Sequence, residues 1–115
     1  MAEKCLFCSI ATGEIPSDIV YQDNKVIAFK DINPQAPTHI LIIPKAHINS
    51  LVELSDRQDK LMGCLIVVAK KIADKEGLAK NGYRLVINCG SEGGQVVPHL
   101  HLHLIGGRKL SGKMG

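Results

Sequence analysis

The chain has no tryptophan, only two tyrosines and only two phenylalanines. Stacking surfaces for single-stranded nucleic acid are therefore scarce. Charge of one sign is also missing: 14 Lys and Arg stand against 11 Asp and Glu, with no basic stripe. That balance argues against a nucleic-acid partner. No run approaches the roughly 18 apolar residues that span a bilayer, so no membrane partner is expected. The opening Met1-Ala2-Glu3-Lys4-Cys5 has no apolar signal core. A cytoplasmic location follows as the expectation, and thiols stay reduced there. The four cysteines then read as free thiols or metal ligands, not as a disulfide frame. Linkers, repeats and low-complexity stretches are absent too. The 115 residues fit one domain, 1–115, with a core over about 5–108 and a short polar tail expected to be mobile.

What is present is a globular chain, 45% hydrophobic. Phe7 to Thr12 suggests a short helix ended by Gly13 and Pro16. Ile19–Gln22 and Val26–Lys30 read as two strands of a hairpin around Asp23-Asn24. His39–Ile43 is β-branched and apolar, and Pro44 stops it. Ser55-Asp56-Arg57-Gln58 is a capping box. Leu61, Leu65, Val68 and Ile72 then form an apolar stripe at helical spacing, and Gly77 suits the end of that helix. Arg84–Asn88 and Leu100–Ile105 read as the remaining strands. These elements predict an α+β fold, a five-stranded, mostly antiparallel sheet with one long and one short helix.

The last strand carries His99-Leu100-His101-Leu102-His103. Side chains alternate across a strand, so the histidines share one face and the leucines enter the core. At about 3.3 Å per residue, His99 and His103 lie about 13 Å apart. One metal ion, with ligand nitrogens at about 2.0–2.1 Å, does not reach all three on a flat strand. The spacing points to divided roles. Histidine titrates near neutrality, which suits nucleophilic and acid–base chemistry. Just upstream, Gly90-Ser91-Glu92-Gly93-Gly94-Gln95 either forms a nest of backbone N–H groups for a phosphate or is a plain turn. Asn88 before it is an amide donor or a turn residue.

In combination and order these residues resemble the histidine triad superfamily, in its histidine triad nucleotide-binding branch. The likeness includes Asp31-Ile32-Asn33-Pro34-Gln35-Ala36-Pro37-Thr38-His39, Ile43-Pro44-Lys45, Gly93-Gly94-Gln95 and Gly106-Gly107-Arg108. It runs from about Cys5 to Arg108. The resemblance implies a homodimer whose two sheets join into one of ten strands. It implies a purine nucleotide pocket of the adenosine monophosphate type. It also implies hydrolysis of nucleoside 5′-phosphoramidates at the P–N bond, or of aminoacyl adenylates. By position His101 matches the nucleophile, and Asp31 the carboxylate that holds both ribose hydroxyls. Asn88, Gly94, Gln95, Val96 and His103 match phosphate contacts. Ile32 matches a wall of the base and ribose pocket, and His39 a further histidine beside the triad. His103, if protonated, would help the amine leave, and the scheme requires no catalytic metal. Many relatives carry Ser where Val96 stands, so a slower or differently selective enzyme is expected. The family's long C-terminal segment with Trp is also missing.

Cys5-Leu6-Phe7-Cys8 is a Cys-x-x-Cys pair, a redox motif or half of a tetrahedral zinc site. The strand-to-helix context of the redox motif is missing. The candidates for the other half are His47 and His99, and members of the family with such an N-terminal pair bind zinc with these positions. The resemblance thus implies a structural zinc at Cys5, Cys8, His47 and His99. Cys64 and Cys89 are expected to be plain buried thiols. Two other readings compete with the enzyme: an adenine nucleotide-sensing protein that acts through a partner, and a metal carrier.

Overall fold

The structure is a computed structural model that describes residues 5–113. The opening Met1–Lys4, where no signal core was read, and the last two residues of the tail lie outside it. The elements are α1 (Leu6–Ala11), β1 (Ile19–Gln22), β2 (Val26–Lys30), β3 (Thr38–Pro44), α2 (Asp59–Lys75), β4 (Tyr83–Val86) and β5 (Leu102–Gly106). The five strands form one sheet in the order β1-β2-β3-β5-β4. Every adjacent pair in it is antiparallel. The α+β arrangement expected from the sequence, a five-stranded antiparallel sheet with one long and one short helix, is the one observed.

Local chemistry explains the turns. Asp23 Oδ1 accepts from the N–H groups of Lys25 and Val26 and closes the β1–β2 hairpin. Ser55 and Gln58 form the expected capping box, but its first turn is a 3₁₀ turn, Asp56–Gln58, and the α-helix begins at Asp59. A second 3₁₀ turn, Leu51–Glu53, is capped by Ser50. Gly77 has φ +75°, which a left-handed C′ residue requires.

α2 covers one face of the sheet. Leu65, Val68, Ala69, Ile72 and Ala73 pack there against Val26, Ala28, Ile40, Ile42, Leu100, Leu102 and Leu104. α1 covers part of the other face, where Phe7 and Ile10 meet Ile27, Phe29, Leu41 and Ile43. With both faces covered, the central strands read as unbroken apolar runs and not as alternating ones.

Several boundaries differ from the sequence reading. β3 includes Thr38 and Pro44; Pro44 sits in the ladder opposite Val26, at the strand's end where a missing N–H is tolerated. β5 starts at Leu102, because the Leu100 N–H is drawn off to the Ile48 carbonyl. β4 therefore ends at Val86, opposite His103, and Ile87 and Asn88 lie beyond the ladder. Cys64 is exposed and Cys89 half-buried, against the expectation of buried thiols. Ala69 and Ala73 pull the buried stripe of α2 round the helix, at about 100° per residue, and Cys64 is left on its outer flank. In the tail, the Arg84 guanidinium donates to the Ser111 carbonyl. No helix among the described residues is long and apolar enough to cross a membrane.

Candidate functional site

The β-sheet face opposite α2 collects the polar residues. On β3, His39 and Leu41 alternate with Ile40 and Ile42, which face α2. Leu41 lies opposite His103 of β5. The ladder thus sets His39 and His103 diagonally on one face, and their Nε2 and Nδ1 atoms are 2.9 Å apart. His101 and His103 have ring centroids 4.9 Å apart. Asp31 continues the β2 ladder by one residue, its N–H donating to the His39 carbonyl. Its Oδ2 is 3.5 Å from His39 Nε2.

Hydrogen-bond partners settle the ring protonation. The Gln35 N–H donates to His39 Nδ1 at 3.0 Å, so the His39 proton is on Nε2. That Nε2–H donates to His103 Nδ1, so the His103 proton is on its own Nε2. His101 Nδ1–H donates to the His99 carbonyl at 2.7 Å. The Nε2 of His101 is left with its lone pair. Burial holds His103 down to about 4, helped by the neighbouring His101 and His39 and opposed by Asp31. Burial likewise lowers His39, against the pull of Asp31. Lowered in this way, both rings favour their neutral forms near pH 7. His103 then offers a neutral N–H.

These residues border a cavity of about 590 Å³, within the usual size of a small-ligand site. Asp31, Ile32 and His39 line it, as do Asn88, Gly94, Val96, His101 and His103. Ile32 and Val96 are 87% and 89% exposed, so their side chains are open to a ligand. Gln95 is the member of the expected set that does not border the cavity. Its amide braces the glycine loop, donating to the carbonyls of Asn49 and Val97 and accepting from the Gly90 N–H. Asn88 Nδ2 donates to the Gly93 carbonyl. A Cβ on Gly93 would lie 2.3 Å from the Cys89 carbonyl oxygen, so only glycine permits this loop closure. The N–H groups of Gly94 and Gln95 are used inside the loop. Among the described residues, those of Val96 and Val97 make no such bond.

A second cluster lies behind His101. Sγ of Cys5 and Cys8 and Nδ1 of His47 and His99 converge, with all four atoms within 4.8 Å of one another. Sγ–Nδ1 separations are 3.2 Å for Cys8 and His47 and 3.3 Å for Cys5 and His99. Tetrahedral zinc ligands, with S at about 2.3 Å and N at about 2.0 Å, stand about 3.5 Å apart. The distal nitrogens are committed elsewhere: His99 Nε2–H donates to the Pro44 carbonyl, and His47 Nε2–H to Asn49 Oδ1. Asn49 is held in turn by Glu53. Each histidine therefore aims a lone pair at the thiols, the outer-sphere pattern of metal ligands. Burial, and then the Cys5 thiol beside it, pushes Cys8 up to about 11; burial lowers His99. The donor set fits a metal cation, which would relieve both.

The sequence reading missed Leu6, Phe7 and Ile10, which wall the cavity, and the supporting Gln35, Asn49 and Glu53. Only the apolar pair between Cys5 and Cys8 was a signal for the wall.

Known proteins agree with this picture. Residues 12–110 match the HIT domain family. The chain is 54% identical over 110 residues to an Escherichia coli protein named purine nucleoside phosphoramidase, covering 96% of this chain and 92% of that one. It is 52% identical over 108 residues to a Zea mays protein named 14 kDa zinc-binding protein, covering 92% and 84%. The crystal structure of a HIT family hydrolase from Legionella pneumophila superposes with TM-score 0.95 at 52% identity, over 97% of this chain and all of that one. With the family pattern covering nearly the whole sheet, and relatives alike along almost their full length, the chain belongs to the HIT domain family.

Proposed function

We propose that the chain is a purine nucleoside phosphoramidase that works through a nucleotidyl-histidine on His101. The carrying observation is the hydrogen bond from His101 Nδ1–H to the His99 carbonyl, which leaves a lone pair on the Nε2 of a residue that borders the cavity. The name and 54% identity of the Escherichia coli relative support the substrate class.

Asp31 accepts hydrogen bonds from the two ribose hydroxyls, and Ile32 supports the base and ribose. The phosphate meets Asn88, Gly94 and the N–H of Val96; Gln95 acts by bracing their loop. His101 Nε2 attacks phosphorus as the P–N bond breaks, and its electron pair leaves with the amine nitrogen, which takes a proton from solvent. Neutral His103 donates a hydrogen bond from Nε2–H as charge develops. His39 acts through His103 by fixing that tautomer. Water then attacks phosphorus, the P–Nε2 bond breaks, and the nucleoside monophosphate departs.

The Cys5, Cys8, His47 and His99 cluster holds zinc, a filled structural site that ties the N-terminus to the segment before β5. The protein functions as a homodimer in which the free edge of β4 meets its copy, giving a sheet of ten strands.

Hydrolysis of adenosine 5′-phosphoramidate by wild type and His101→Ala tests the central claim. Release of amine and adenosine monophosphate by the wild type alone is expected. Equal turnover by the variant would sink the nucleophile, and tight binding without turnover in either would favour the nucleotide-sensing reading.

A further inference from the structure

The Cys/His cluster and the cavity share a helix. α1 has six residues and no side-chain cap, and so short a helix does not hold by itself. Cys8 within it faces His47, and Cys5, its N-cap residue, faces His99. The residues between and just after the two cysteines, Leu6, Phe7 and Ile10, wall the cavity. The Phe7 ring meets Phe29, His99 and His101 edge-on, with centroids 5.4, 5.9 and 5.2 Å apart. His99 contributes its ring to the cluster and its carbonyl to His101. The main core, between α2 and the sheet, contains none of these residues.

We propose that occupancy of the Cys5/Cys8/His47/His99 centre by a divalent cation sets nucleotide affinity, by clamping α1 as a wall of the cavity and fixing the His99 carbonyl that orients His101. The inference rests on the nucleotide reading of the cavity. Emptying the centre frees Cys5 and Cys8 and leaves α1 held by the packing of Phe7 and Ile10. Leu6, the exposed residue of this wall, withdraws from the ligand, while the sheet and α2 keep their own core. Losing the apolar contact of this wall with the ligand weakens binding about tenfold.

The test is calorimetric titration of adenosine monophosphate into the full chain: zinc-loaded, chelator-stripped and reloaded. Metal content and circular dichroism are read on each sample. Stripping is expected to weaken binding about tenfold and one equivalent of zinc per chain to restore it. Equal affinity in loaded and stripped protein overturns the proposal alone. No binding to loaded protein overturns the nucleotide reading itself, and the proposal with it. Should stripping unfold the chain, Leu6→Ala decides. Leu6 is 47% exposed, so the variant should fold and keep its zinc. It is expected to bind the nucleotide several-fold more weakly, and unchanged affinity overturns the wall.

Discussion

His103 shows how a single residue's surroundings decide its chemistry. It lies in a row of histidines, yet burial and two neighbouring rings hold it near pKa 4, well below the usual 6.5. The folded chain therefore resists its protonation, while the unfolded chain accepts a proton near pH 6.5. The contribution of neutral His103 to stability is complete above about pH 6.5 and is lost as pH falls towards about 4. His39 has the same sign. Thermal melts across that window should show Tm falling with acid in the wild type. In His103→Asn the slope should be shallower under the same buffers and metal load. Matching slopes would mean that His103 titrates normally in the folded chain, and the neutral-donor role would go with it.

Among the elements, the glycine loop between β4 and β5 is the least tolerant. Gly93 approaches the Cys89 carbonyl too closely for any side chain, and Gly94 has φ +80°, a left-handed conformation that favours glycine. Gly93→Ala should push the loop outward, break the Asn88 to Gly93 hydrogen bond and shift the Val96 N–H. Adenosine monophosphate affinity should fall at least tenfold, about the worth of one hydrogen bond to a charged group, with the melt of the main core little changed. Wild-type affinity would place the phosphate elsewhere. The sequence made this loop legible as glycine chemistry, just as it made the β1–β2 hairpin legible through Asp23 and the start of α2 through Ser55. It did not show that Gln95 turns inward, because one of its partners, the Asn49 carbonyl, lies 46 residues away. Nor did it show that β5 begins after His101, since the Leu100 N–H goes to Ile48, a tertiary choice that periodicity does not encode. Cys5 and Cys8 were legible as a pair from their spacing, but the set with His47 and His99 was completed only with a family resemblance in hand. Their 39- and 94-residue separations leave no local pattern.

At the scale of the whole molecule, the two faces of the sheet have separate tasks: α2 and the leucines of β5 stabilise, while the histidine face and α1 build the site. The sheet ends on β1 at one edge and on β4 at the other, and among the described residues β4 has one side unpaired. An uncovered edge invites a further strand. Beside it α2 turns Ile66 and Val67, 45% and 49% exposed, to the outside, and Tyr83 at the start of β4 is 36% exposed. Isolated apolar residues on a surface are ordinary; here they accompany a free strand edge, which favours a second copy over solvent. Sedimentation of the wild type should give the mass of a dimer at micromolar concentration. Val67→Asp puts a charge on that apolar side without touching the buried stripe of Leu65, Val68 and Ile72. It should shift the protein towards monomer while keeping its helical signal. A dimer of undiminished strength in Val67→Asp would place the contact on another face, and a wild type that sediments as a monomer would leave the sheet at five strands.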